Sequence, residues 1–155
     1  KLAYFPERTE VTPLATIEEL LRLVCRLRDV ETTHVARVLE RVGMLAEARS
    51  NVRQLSQGQR RRVLLAAALI GDPEVLLLDE PFEGLDRGMR EQVQDWILTS
   101  ASSGKTVIVA THELAGLPAS AGAVMSVRQA KVLLDRLPQD LEQRDAILDR
   151  LLRPD

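Results

Sequence analysis

Two short apolar runs constrain the fold more than any other feature of this chain. EVLLLDE spans residues 74–80 and GKTVIVAT spans Gly104 to Thr111. Neither alternates with polar residues. Such a run suits a strand covered on both faces, as in a parallel sheet. Between the runs, Leu85, Met89, Val93, Trp96 and Ile97 recur at helical spacing, and Asp86 stands where an N-cap belongs. Strand, helix, strand is a crossover unit, which lays its two strands parallel. The expectation is an α/β protein.

The preceding half reads as helical. Thr16 and Glu19 form a capping box, followed by Ile17, Leu20, Leu21, Val24 and Leu27 on one face, and the helix runs to about Asp29. Cys25 packs on its flank. A second helix starts near Thr33, carries Val35, Val38, Leu39 and Val42, and stops at Gly43. Ser56 and Gln59 make another capping box, opening a helix that ends near Gly71. After Pro118, AVMSV and KVLLD read as a hairpin. Pro138 opens a last helix with Leu141, Ile147, Leu148 and Leu151 apolar.

Length and charge narrow the classes. The 155 residues suffice for one core, and 21 basic against 23 acidic residues leave a net charge of −2. That balance argues against a nucleic-acid coat and against a basic membrane binder. No apolar run approaches bilayer length; the longest is Val63–Gly71. A lone cysteine permits no internal disulfide. The chain opens KLAYFPERTE, without Met and within an apolar segment, so its natural N-terminus is expected to lie upstream.

Parallel strands end together, and ligands of open α/β sheets bind along that edge. Asp79 and Glu80 end the first run and His112 follows the second. One carboxylate suits a magnesium ion and the other an attacking water, with His112 near a transferred phosphoryl group. The plainer alternative is a strand entering a loop with its acids solvated. Ser56 opens the other candidate site. Free N–H groups at that helix start, with Gly58 allowing close approach, make an anion site. Arg60, Arg61 and Arg62 follow at once, although cations oppose the dipole there. A bound polyanion would account for them. Arg60 and Arg61 are otherwise read as a solvated face or as partners of nearby acids.

Together these residues resemble the ATP-binding cassette (ABC) ATPases. LSQGQ, Leu55 to Gln59, looks like the family signature; VLLLDEP, Val75 to Pro81, like the Walker B strand with its glutamate. EGLD, Glu83 to Asp86, looks like the D-loop, and ATH, Ala110 to His112, like the switch histidine. The resemblance implies a P-loop NTPase-like parallel sheet with an α-helical subdomain. It would form a single partial nucleotide-binding domain: a helical subdomain over about 12–55, the signature helix 56–71, core strands within 72–135 and a C-terminal helix in 136–155. By resemblance Asp79 would hold magnesium, Glu80 the attacking water and His112 the γ-phosphate of ATP. Ser56, Gly58 and Gln59 would cover ATP held by a second cassette, and Asp86 would lie at the contact between cassettes. Glu7, in YFPE, stands where the Q-loop glutamine is usual, and Arg62 matches an often basic position. The Walker A pattern G-x-x-x-x-G-K-[ST] occurs nowhere in the chain, so it is expected upstream.

The implied function is the ATP-hydrolysing motor of a membrane transporter, of bacterial exporter type. It would sit on the cytoplasmic face of the membrane, bound to a transmembrane permease subunit and a second cassette, with no nucleic acid as partner. Two other readings remain: a non-transport cassette ATPase acting on ribosomes or DNA, and a catalytically silent chain.

Overall fold

The computed structural model describes residues 1–7, 15–112, 121–128, 131–138 and 140–152. Residues 12–14, the start of the expected helical subdomain, lie outside them. The chain divides into two compact units, Lys1–Gly116 and Leu117–Asp155.

The first unit holds three parallel strands, β1 (Leu2–Phe5), β2 (Val75–Asp79) and β3 (Thr106–Ala110), in spatial order β1-β2-β3. Leu78 of β2 lies between Phe5 of β1 and Val109 of β3, which fixes the register. Ala3, Phe5, Leu76 and Leu78 are buried, and Val107 and Val109 pack against the same cluster. The opposite face differs from the expectation of cover on both sides. Leu2, Tyr4 and Ile108 are 61%, 53% and 49% exposed. The unbroken apolar runs therefore have one covered face within the described residues.

Helices supply that cover. α1 (Ile17–Leu27) starts at the Thr16–Glu19 capping box and buries Ile17, Leu21 and Cys25. Leu27, expected on its apolar face, is exposed instead, because helical spacing puts it off the buried line of Ile17, Leu21 and Cys25. α2 (His34–Arg41) buries Val35, Val38 and Leu39. α3 (Gln57–Leu69) packs on α1, α2 and β1, so it joins the helical part to the sheet. The Arg28 guanidinium donates to the carbonyls of Ala67, Ala68 and Ile70 and so caps the C-terminal end of α3 from α1. α4 (Arg87–Ser102) packs against β3 and buries Met89, Val93 and Ile97.

The second unit is an antiparallel hairpin, β4 (Ala123–Arg128) with β5 (Lys131–Arg136), and α5 (Leu141–Leu152) packed on β4. The Asp140 carboxylate accepts the Gln143 N–H and so caps α5, two residues after Pro138. No helix among the described residues is long and apolar enough to cross a membrane.

Candidate functional site

Three parallel strands end side by side, and their ends bring Glu7, the pair Asp79–Glu80, and Thr111–His112 to one edge. Glu80 is the centre of the arrangement. It leaves β2 with φ +45°, a left-handed backbone uncommon for a residue with a side chain. Its N–H donates to the Ala110 carbonyl at 2.8 Å, which ties the turn to β3.

That turn aims the Glu80 carboxylate at the end of β3. Oε2 accepts the Thr111 hydroxyl at 2.9 Å. Oε1 accepts the His112 backbone N–H at 3.0 Å and pairs with His112 Nδ1 at 2.8 Å. Burial raises the Glu80 pKa, but the hydrogen bonds from His112 and Thr111 outweigh it and hold the carboxyl below its usual range. The group is thus ionised at neutral pH. Oε1 has spent both lone pairs, whereas Oε2 retains one, so Oε2 is the oxygen able to take a proton from water. The contact to a carboxylate places the imidazole proton on Nδ1. Nε2 can then donate to a phosphate oxygen only from the imidazolium form.

Asp79 stands beside it, half-buried, with Oδ2 accepting the Tyr4 hydroxyl at 3.1 Å. Oδ1 carries no protein hydrogen bond among the described residues. A magnesium ion needs only one or two carboxylates when phosphates and waters complete its shell. The single open oxygen of Asp79 fits that pattern. It does not fit an all-protein cage, and no group of three ligating residues stands among the described residues.

The signature residues open α3 next to this edge. Ser56 Oγ accepts the Gln59 N–H at 3.2 Å, and Gln59 Oε1 accepts the Ser56 N–H at 3.0 Å. The oxygen of each side chain therefore serves the cap, which leaves the Ser56 O–H and the Gln59 NH2 as donors. The helix offers an anion its dipole and the N–H groups of Gln57 and Gly58, which have no intrahelical acceptor. Gly58 packs on the D-loop: a Cβ there would come within 3.3 Å of the Gly84 carbonyl. Asp86 follows. Its Oδ1 accepts the Met89 N–H at 2.9 Å, capping α4, and its Oδ2 pairs with Arg62 at 2.6 Å. These partners, the Met89 N–H foremost, lower the Asp86 pKa. Both oxygens are thus engaged inside the chain, although the residue itself is exposed.

The arginine triplet divides three ways. Arg60 is exposed and donates to the Arg53 carbonyl at 3.3 Å. Arg62 pairs with Asp86. Arg61 overturns the solvated reading: it is only 7% exposed, and its guanidinium lies 5.0 Å from the Phe5 ring centroid. It donates to the Glu7 carbonyl at 2.6 Å and to the carbonyls of Asp79 and Glu80. Its hydrogen bonds go to backbone carbonyls of its own chain, and the charges that face it are the carboxylates of Glu83, Glu7, Glu80 and Asp79. Helical spacing carried the signal: Arg61, Leu65, Ala68 and Leu69 share the buried face. Tyr4 and Thr111 were also missed; Thr111 immediately precedes the singled-out His112.

Comparison with known proteins places the chain in a family. Residues 1–83 match the ABC transporter family. The SkfA peptide export ATP-binding protein SkfE of Bacillus subtilis (strain 168) is 31% identical over 94% of this chain and 63% of its own. The glutamate/aspartate import ATP-binding protein GltL of Escherichia coli (strain K12) is 39% identical over 74% of this chain and 47% of its own. The chain thus spans about half to two thirds of these relatives. A solved ATP-binding subunit of an ABC transporter superposes with TM-score 0.83 at 23% identity, over 97% of this chain and 66% of that one. A dimeric cassette bound to ADP and phosphate gives 0.78, also at 23%, over 88% and 62%. With a family match over more than half its residues, this α/β chain of P-loop NTPase-like fold belongs to the ABC transporter family of ATP-binding proteins.

Proposed function

We propose that this chain provides the catalytic edge and signature helix of an ATP-hydrolysing cassette that drives a membrane transporter. The observation that carries the proposal is the Glu80 carboxylate, ionised and held by Thr111 and His112 beside Asp79. Glu80 acts as general base on water through Oε2. His112 orients Glu80 and, when protonated, steadies the phosphate being transferred. Asp79 holds magnesium, which supplies charge neutralisation to the phosphates when bound. The chain's own residues thus hold the water, the proton and the metal ligand.

The triphosphate needs a cradle that these 155 residues do not contain, since the G-x-x-x-x-G-K-[ST] pattern is absent. In this proposal further sequence completes the domain, with the helical subdomain over about 12–55. Ser56, Gly58 and Gln59 then cover ATP bound mainly by a second cassette, and Asp86 lies near that contact. A dimeric structural neighbour supports pairing. Glu7 takes the Q-loop position. The motor works on the cytoplasmic membrane face, against a permease subunit. The exporter reading rests on the stretch TPLATIEELLRLVCRLRDV; the matched relatives include one named for export and one for import.

The test is phosphate release from Mg-ATP by the complete cassette. Wild type should turn over, and His112→Ala should lose more than roughly tenfold in rate with ATP affinity within about twofold. No magnesium- and ATP-dependent release by wild type would sink the proposal.

A further inference from the structure

We propose that Arg61 is the positioning residue for Glu80: its one guanidinium holds both peptide units that flank the Glu80 Cα. This rests on the reading of Glu80 as the general base. NH2 donates to the carbonyl of Asp79, on one side of that Cα, and to the carbonyl of Glu80, on the other. NH1 reaches the Glu7 carbonyl at the end of β1. The flat face rests on Phe5, and the buried Nε has no partner among the described residues. A fork of this shape can join two strand ends at once, which an ammonium on a flexible stem cannot reproduce.

The clamp has something to hold. Glu80 keeps its left-handed backbone although it has a side chain, and such a conformation persists only where the surroundings impose it. The Ala110 carbonyl takes the Glu80 N–H from the β3 side. Arg61 takes the two carbonyls from the α3 side. Relaxing φ toward the ordinary region would swing the carboxylate away from Thr111 and His112. The arginine itself leaves α3 just past the first turn of the signature helix. Any tilt of that helix therefore moves the donors that fix the Glu80 backbone. Arg61 acts through Glu80.

The experiment compares Arg61→Lys, Arg61→Met and Glu80→Gln with wild type in the complete cassette. It reads kcat, KM for ATP, ATP affinity by calorimetry and the thermal midpoint. Arg61→Lys keeps charge and bulk but loses the planar fork. It should melt within a few degrees of wild type and bind ATP within twofold, yet turn over at least fivefold more slowly. Arg61→Met should be slower still, with KM again little changed. An Arg61→Lys variant with wild-type kcat overturns the proposal. So does loss of the melting transition in both arginine variants, because the residue is then structural only. If Glu80→Gln is slow while Arg61→Lys is not, only this inference fails. If Glu80→Gln keeps its rate, the functional reading fails and takes this inference with it.

Discussion

Replacing Arg28 by methionine tests how firmly the helical part is tied to the signature helix. Arg28 follows α1, and its NH1 group lies 2.9, 3.1 and 2.8 Å from the carbonyls of Ala67, Ala68 and Ile70. One NH1 has two hydrogens, so three contacts amount to two bonds shared among three acceptors. A hydrogen bond from a charged donor contributes about 1.5–3 kcal/mol, giving a gross term of about 3–6 kcal/mol. Two effects reduce it. Burial lowers the Arg28 pKa, a sign that its charge is partly desolvated, and methionine removes that cost. Water can also reach part of the α3 terminus once the guanidinium is gone. A net loss of about 2 kcal/mol remains. For a chain of this size that is a fall of about 4–8 °C in the melting midpoint. Arg28→Lys, which keeps the charge at the helix C-terminus, should lose about half as much. The assay is thermal and urea unfolding followed by circular dichroism. A methionine variant within about 0.5 kcal/mol of wild type would refute the cap as a stabilising tie.

Other outcomes follow from the same geometry. Thr111→Val removes a donor that lowers the Glu80 pKa, so that pKa should rise and the acid limb of the kcat–pH profile should move to higher pH; an unmoved limb would exclude the contact. For stability the sign is fixed: the Glu80 pKa is depressed in the folded state. Its contribution is present above the ordinary carboxyl value of 4.5 and is lost as pH falls through the folded value, so His112→Ala should lessen acid sensitivity in that window. Gly58→Asp puts a side chain against the Gly84 carbonyl and a negative charge at the anion site; it should abolish turnover while leaving the ATP affinity of a single cassette nearly unchanged. Equal loss of that affinity, by calorimetry, would place the site within one chain.

Patterns confined to neighbouring residues were legible in the sequence. The capping boxes at Thr16 and Ser56 depend on partners three residues away, and both stand in the structure. The strand runs were legible as well, since β2 and β3 need only a handful of residues each. The candidate site's place was readable at the strand ends, where Asp79, Glu80 and His112 come to one edge. What stayed hidden depends on distant contacts. Tyr4 meets Asp79 across 75 positions, Arg61 meets Glu7 across 54, and Thr111 meets Glu80 across 31. A charge triplet also misleads. Side chains at successive helix positions point in different directions, so Arg60, Arg61 and Arg62 reach solvent, the sheet edge and the D-loop respectively. The open sheet face had a similar cause. Apolar runs state a need for cover on two sides, but not which segment provides it.

The most direct measurement of the central claim is steady-state phosphate release by the complete cassette carrying Glu80→Gln. The glutamine keeps the shape and still accepts from Thr111 or His112, but it cannot take a proton from water. Loss of a general base predicts a fall of roughly 10²- to 10⁴-fold in kcat, with ATP binding retained. Release within twofold of wild type would contradict the account.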